Sequence, residues 1–358
     1  MKKIAFVRTR YLPPSETFIY EELKNIKRLK PIVFARKTMN LKRFPYSRIK
    51  RLPLNSSSIA RAFKQRKIRL IHARFGKAGV RLIEAKKRLR VPMLTSFHGF
   101  DLPSKRDRRD SYHRQLPALF RAGDKFTVPS RHMKRKLIRW GCPRNKIKIM
   151  YSGIDLTKFS YSEREPKADN ITIIAVGRLH KKKGFPYLLK AFKKVNESHP
   201  SSRLIIVGEG DEKKKLKKLI KSLKINKYVR LEGLVSHSKM SELLHRSDIF
   251  CLPSITTKDG NQEGIPNAIK EAMATGLPVV TTRHGGIPEL VSDKWEGLLA
   301  PEKNVNALAD KMKYLIEHPS LRVQMGKRGR EKVEKNFDSA KQVARLEDIY
   351  RNLMRKRR

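Results

Sequence analysis

Apolar residues in this chain come in short, nearly continuous runs, separated by longer stretches with a single apolar face. In the first half, such runs cover residues 4–7, 31–35, 69–73, 92–97, 125–129 and 147–151. They predict buried strands, because a strand covered on both faces has no polar side to show. Between them, 18–30, 77–89 and 131–140 carry apolar residues at helical spacing. The rhythm restarts over 171–176, 203–207, 229–232, 249–252, 278–282 and 297–300. Strand and helix in alternation build parallel sheets wrapped by helices. We therefore expect an α/β chain of two Rossmann-like, doubly wound domains, 1–160 and 161–338, facing each other across a cleft. The polar stretch 161–170 reads as the linker, and a last helix, 339–358, is expected to pack back on the first domain. A length of 358 residues suits about two domains.

Composition narrows the class. Hydrophobic residues make up 39% of the chain, which is enough for two packed cores. Cys142 and Cys251 are far apart, with no Cys-x-x-Cys spacing, so a disulfide framework and a zinc ribbon are both excluded. That cysteine usage fits a reducing cytosol. The first residues hold two lysines and only four apolar residues before Arg8. A secretory signal needs an apolar stretch of ~7–15 residues and a membrane span ~18 or more, and neither pattern occurs. The expectation is a cytoplasmic protein, peripheral on the inner face of the cytoplasmic membrane.

Charge changes the picture further. Lys and Arg number 84 against 33 Asp and Glu, a formal net charge of +51, of which residues 1–160 supply +34 and the remainder +17. A field this positive attracts polyanions: nucleic acid, anionic lipid or a phosphorylated acceptor. A basic bias of the whole proteome would give the same number. The densest clusters of the first half are 64–69, 86–90 and 105–109, and the chain ends on Arg355-Lys356-Arg357-Arg358.

Four segments carry candidate chemistry. The first runs from Glu263 to Glu271. Pro266 suits the first turn of a helix, where its missing N–H costs nothing. The free amides of the turn around Pro266, roughly Ile265 to Asn267, would then favour an anion. Glu263 and Gly264 precede the helix and Glu271 lies inside it; as a bare pair, two such glutamates also describe a solvated surface. In the second segment, Arg178 emerges after a buried strand and Lys183 precedes Gly184 at the next helix. Arg offers a planar fork to phosphate oxygens and Lys a point charge. Lys181 and Lys182 between them read as a solvated basic loop. The third is His98, beside Gly99 at another strand end. A lone histidine is more often structural than catalytic, and His72, His113, His132 and His180 stay unassigned. The fourth holds Gly285 and Gly286, either a close backbone approach to a ligand or a plain tight turn.

Other chemistries leave no trace. The chain lacks a G-x-x-x-x-G-K-[ST] phosphate loop, a G-x-S-x-G elbow, an H-E-x-x-H pair and a G-x-G-x-x-G after its first strand. It has no D-x-D pair, and Glu209-Gly210-Asp211 looks like a turn.

Taken together and in order, the segments resemble the retaining glycosyltransferases of family 4, which have the GT-B fold. The resemblance runs along essentially the whole chain: Ser15-Glu16-Thr17-Phe18-Ile19, His72-Ala73-Arg74-Phe75-Gly76, His98-Gly99-Phe100-Asp101, Tyr151-Ser152-Gly153-Ile154-Asp155, Val176-Gly177-Arg178-Leu179, Val207-Gly208-Glu209-Gly210, and Glu263 through Glu271. The early Ser-Glu-Thr-Phe-Ile and Gly260 to Asn267 look like the colanic-acid and amylovoran type of exopolysaccharide transferase. The resemblance implies that Arg178 and Lys183 bind the donor diphosphate. It also implies that Glu263 meets the donor sugar, Glu271 the ribose, and His98 the sugar face. Ser15 and Glu16 stand where many members carry a Gly-Gly loop; they and Gly285 and Gly286 are candidate cleft loops.

The expected activity is transfer of a hexosyl group, with retention, from a nucleotide sugar, UDP-linked rather than GDP-linked. The acceptor would be a saccharide or a polyprenyl-diphosphate-linked saccharide. No metal or other cofactor is expected, and the basic first domain would face an anionic membrane. The alternatives are a nucleotide-sugar epimerase of the same architecture and a nucleic-acid-binding protein. The latter explains the charge but not Glu263 or Glu271, and no aromatic-interleaved RNA-binding signature is present.

Overall fold

Two parallel sheets carry the chain. The computed structural model describes residues 1–13, 16–102 and 110–355. Ser15, the basic cluster 105–109 and the last three residues of the terminal basic run lie outside the described residues. Unit 1 comprises Met1–Gly153 with Ser339–Arg358, and unit 2 comprises Ile154–Asp338.

In unit 1, β1 (Lys3–Val7), β2 (Lys30–Ala35), β3 (Ile49–Arg51), β4 (Ile68–Arg74), β5 (Met93–Ser96), β6 (Lys125–Val128) and β7 (Ile147–Ile149) form one sheet. Their order is β3-β2-β1-β4-β5-β6-β7, with every pairing parallel. In unit 2, β8 (Thr172–Val176), β9 (Arg203–Val207), β10 (Val229–Gly233), β11 (Ile249–Leu252), β12 (Val279–Thr282) and β13 (Gly297–Ala300) repeat the arrangement as β10-β9-β8-β11-β12-β13. The order reverses between β1 and β4 in unit 1, and between β8 and β11 in unit 2. Loops leaving the carboxyl ends of strands at such a reversal diverge and open a crevice for a ligand. The α/β class and the two parallel-sheet, Rossmann-like domains expected from the alternating pattern are therefore present.

Four helices matter below: α1 (Thr17–Asn25), α2 (Phe185–Ser198), α3 (Asn267–Ala274) and α4 (Ser339–Arg355). Val343, Leu346, Tyr350 and Leu353 of α4 share a buried cluster with Ile4, Leu70, Leu94, Ile26 and Leu29 of unit 1. Each apolar side chain fully buried in this way stabilises by ~1.5–3 kcal/mol, which ties the chain's end to its beginning.

Several elements differ from the expected ones. α1 stops at Asn25 rather than 30, because Ile26 takes an extended conformation that sends it and Leu29 into the α4 cluster. The segment 77–89 divides into Gly76–Arg81 and Ile83–Leu89, broken at the buried Leu82. The edge strand β3 and the helices Ser56–Gln65 and Ser111–Ala122 join the elements read from the pattern. The stretch 161–170 lies inside unit 2, where Arg164 donates to the carbonyls of Leu244 at 3.0 Å and Ser247 at 2.5 Å. Among the described residues, no helix is long and apolar enough to cross a membrane.

Candidate active site

The unit 2 site starts from β8, a strand with four of its five residues buried, so Gly177 and Arg178 emerge at its carboxyl end. Gly177 is clasped by β9: its N–H donates to Val207 O at 2.9 Å. A Cβ on Gly208 (φ +139°) would sit 2.1 Å from Gly177 O, so only glycine permits that approach. Arg178 is exposed, and among the described residues its guanidinium has no hydrogen bond or ion pair. A short 3₁₀ turn, Lys181–Lys183, then reaches Gly184, whose φ of +71° turns the chain into α2. A Cβ there would lie 1.9 Å from Pro253 O, and Ile255 N–H donates to Lys182 O at 2.8 Å. The loop after β8 is thus laced onto the loop after β11.

That second loop carries Glu263. Its carboxylate meets Lys182 Nζ at 3.1 Å and Lys183 Nζ at 3.2 Å, with all three side chains no more than 15% exposed. Burial alone would raise the Glu263 pKa, but Lys183 and then Lys182 outweigh it and hold the pKa at about 2. The backbone of the residue is held as well. Glu263 N–H donates to His284 Nε2 at 2.9 Å, Gly286 N–H donates to Gly264 O at 2.9 Å, and Gly285 leaves room for Glu263 O. Lys182 is therefore no solvated loop residue, contrary to expectation; it shares the glutamate with Lys183.

Pro266 differs from its expected place. It is the N-cap of α3, in an extended conformation, and not its first turn. The unfilled amides are therefore those of Asn267, Ala268 and Ile269, two positions beyond the expected set, and no side chain caps them. Glu271, inside α3, is partly buried, and burial pushes its pKa up to about 7 against Lys270 and Lys183. Burial likewise pulls the fully buried Lys270 down to about 7, with Glu271 opposing.

In unit 1, the carboxyl edge of the sheet presents His98, just after β5. Arg74, the last residue of β4, is 2% exposed and pairs with Glu22 of α1 at 2.7 and 2.9 Å. Its Nη2 stands 3.2 Å from His98 Nε2, so that nitrogen accepts. Phe18 and Phe75 pack on the imidazole with centroids at 5.2 and 4.8 Å. Burial, then Arg74 and Arg8, keeps His98 well below the usual histidine range, so the ring is neutral at physiological pH. Asp101 anchors the turn, accepting from Gly76 N–H at 2.9 Å and His98 N–H at 2.8 Å. Glu16 is buried and pairs with Arg8 at 2.5 Å. His72 is fully buried beneath this edge, joined to Tyr350 of α4 at 2.6 Å and to Ser96 at 2.7 Å.

The structure therefore gathers Lys183, Glu263, Gly264, Gly285 and Gly286 by direct contact in unit 2, with Arg178 on the same loop as Lys183 and Glu271 near Lys183. His98 and Glu16 stand in unit 1. Sequence reasoning missed Lys182, His284, Glu302 and Arg74. His284 lies within the fourth segment, directly before Gly285 and Gly286. Nothing in the sequence marked Glu302. Among the described residues, no three His, Cys, Asp or Glu side chains gather as a metal site.

Comparison with known proteins bears on this arrangement. Residues 158–332 match the family described as "Glycosyl transferases group 1", and residues 19–158 match "Glycosyltransferase Family 4". A putative colanic acid biosynthesis glycosyltransferase of Escherichia coli, WcaL, is 36% identical over 74% of this chain and 66% of its own length. The match thus covers slightly less than two thirds of that relative. The amylovoran biosynthesis glycosyltransferase AmsK of Erwinia amylovora is 34% identical over 79% of this chain and 70% of its own. The crystal structure of Anabaena HepE in complex with UDP superposes with a TM-score of 0.84 at 19% identity, covering 98% of this chain and 100% of that one. A sheet order repeated in both units, a fold shared along the whole chain and both family matches converge on one conclusion: the chain belongs to glycosyltransferase family 4, with the GT-B fold.

Proposed function

We propose that this protein transfers a hexosyl group, with retention and without a metal, from a UDP-linked sugar to a saccharide or lipid-linked saccharide during cell-surface polysaccharide synthesis. One observation carries the reading. Lys182 and Lys183 meet Glu263 at the carboxyl edge of the unit 2 sheet, on the loop that also carries the exposed Arg178, and Glu263 leads into the uncapped first turn of α3. Cations and free amides in that position suit a diphosphate, and a carboxylate among them suits sugar hydroxyls. The relatives named for colanic acid and amylovoran support the polysaccharide setting, and the UDP complex of HepE supports the uridine nucleotide.

In this reading the bond from the anomeric carbon to the diphosphate breaks first, and an oxocarbenium-like centre forms. The acceptor hydroxyl attacks from the side the diphosphate leaves and gives its proton to a diphosphate oxygen. No separate general base is then required. Arg178, Lys183 and the α3 amides act by neutralising the departing charge and holding it in place. Glu263 accepts from sugar hydroxyls and Glu271 from the ribose. For His98 of unit 1 we propose the sugar contact that the family resemblance assigns to it.

The basic first half is proposed to meet an anionic membrane, where each Lys or Arg near the surface adds about 1 kcal/mol. Arg131, Arg135 and Arg139 form an exposed basic face on the helix Arg131–Arg139. Pelleting with phosphatidylglycerol vesicles at low salt, and release at high salt, is the expected result; no pelleting refutes this part.

The activity is tested by incubating the full chain with UDP- and GDP-sugars and following donor hydrolysis and thermal shift. Hydrolysis of one UDP-sugar is expected. Formation of a different nucleotide sugar would favour an epimerase. No affinity for any nucleoside diphosphate, with or without lipid, would overturn the proposal.

A further inference from the structure

The loop from β11 to α3 brings Glu263 to its lysines, yet it has no regular structure over more than ten residues. A loop of that length must be held from outside if one of its side chains is to keep a fixed place. We propose that His284 and Glu302 together clamp this loop at both ends and so act as positioning residues for Glu263. For catalysis, the inference rests on Glu263 serving the donor; the clamp itself stands on the following contacts.

His284 follows β12 and is completely buried. Its Nε2 accepts the Glu263 N–H at 2.9 Å, and a peptide N–H can only donate, so Nε2 carries no proton. Its Nδ1 lies 2.6 Å from Glu302 Oε1, a carboxylate that can only accept when ionised. The two contacts therefore select the neutral tautomer with its proton on Nδ1. The carboxylate does more than orient the ring. Glu302 Oε2 accepts the Thr256 N–H at 2.7 Å, and Oε1 accepts the Thr256 hydroxyl at 3.1 Å. Gln262 Nε2 then donates to that hydroxyl oxygen at 3.2 Å, closing the loop on itself.

One buried imidazole and one carboxylate thus fix the beginning of the loop at Thr256 and its end at Glu263. Both come from strand ends outside the loop. Neither side chain needs to touch a ligand to matter. A displaced Glu263 would leave Lys182 and Lys183 without their shared partner, and small misplacements of groups at a reacting centre cost up to ~100-fold in rate.

The test uses the full chain with His284→Leu, which removes both contacts, and His284→Gln, whose amide oxygen can reach the Glu263 N–H. Amide hydrogen exchange over 256–264 reads the clamp without any ligand. UDP affinity, and kcat and KM for whichever nucleotide sugar the screen identifies, read its consequence. His284→Leu should lose protection over 256–264 while the strands of unit 2 keep theirs. Its kcat should fall roughly 10- to 100-fold with UDP affinity nearly unchanged, and His284→Gln should recover most of both. Unaltered exchange over 256–264 in folded His284→Leu would overturn the clamp. Restored protection without restored kcat would overturn its role in catalysis. Should His284→Leu fail to fold, Glu302→Ala frees the Thr256 end and must show the same loss of protection. A wild-type chain with no nucleotide-sugar turnover would sink the functional reading alone, and hydrogen exchange would still decide the clamp.

Discussion

Replacing Glu263 by Gln isolates the charge that the two lysines act upon, because the amide keeps the shape and cannot ionise. In the folded chain this carboxyl has a pKa of about 2 against an ordinary 4.5. At about 1.36 kcal/mol per pH unit, that difference corresponds to a ceiling of about 3 kcal/mol of stabilisation at neutral pH. The side chain is 13% exposed, so solvent screening takes only part of it away. Because the folded value lies below the unfolded one, the full contribution is present above about pH 4.5 and is lost as the pH falls towards 2. By pH 3 roughly 1 kcal/mol remains, so the stability gap between wild type and Glu263→Gln should shrink by about 2 kcal/mol between pH 6 and pH 3. The chain has two tryptophans, Trp140 in unit 1 and Trp295 in unit 2. In a Trp140→Phe background, Trp295 fluorescence during urea unfolding therefore reports on unit 2 alone. A gap that stays constant over this range would show that the Lys182–Glu263–Lys183 contacts do not persist in solution, and the reasoning built on them would fail.

Arg178→Ala should lower turnover by roughly 2.7–4 kcal/mol, about 100- to 1000-fold, if the exposed guanidinium stabilises the leaving diphosphate as other preorganised charges do; near wild-type transfer in the nucleotide-sugar assay would refute that role. Tyr350→Phe removes the hydroxyl facing Nδ1 of the fully buried His72 and should cost about 1–3 kcal/mol in urea unfolding. An unchanged midpoint would mean that α4 holds unit 1 by apolar contact alone. The His98 ring should show no titration across the ordinary histidine range around pH 6.5 in nitrogen-resolved NMR. A midpoint near 6.5 would mean that the ring is not buried against Arg74 in solution.

How far the molecule was legible in its sequence depended on how far away each partner lies. The inner strands were readable because both their faces are covered, and continuous apolar runs such as Ile173–Val176 say so without reference to anything else. Residues at strand ends followed from that: Arg178 and His98 sit where the loops begin. Helix limits were less accessible. Asn25 ends α1 because Ile26 and Leu29 are claimed by residues of α4, more than 300 positions later. Pro266 was placed one position too far into α3, since proline's fixed φ serves an N-cap as well as a first turn. The lysine pair shows the same limit. Gly184 marked out Lys183, but Lys182 is indistinguishable in sequence from Lys181, and only the arrival of Glu263, some 80 residues on, separates them.

The clamp residues were the least visible, and the reason is physical. His284 and Glu302 meet each other 18 positions apart and meet the loop 21 and 46 positions away, through a backbone amide that no sequence pattern records. Glu263 is thus constrained twice and by different means: its carboxylate by the charge of the loop after β8, its peptide by side chains from the loops after β12 and β13. The two constraints can be removed separately. Glu263→Gln abolishes the charge and leaves the peptide held, whereas His284→Leu releases the peptide and leaves the charge. If both substitutions raised KM for the donor equally and left kcat intact, Glu263 would contribute only uniform binding. A fall in kcat from either would place its contribution in the transition state.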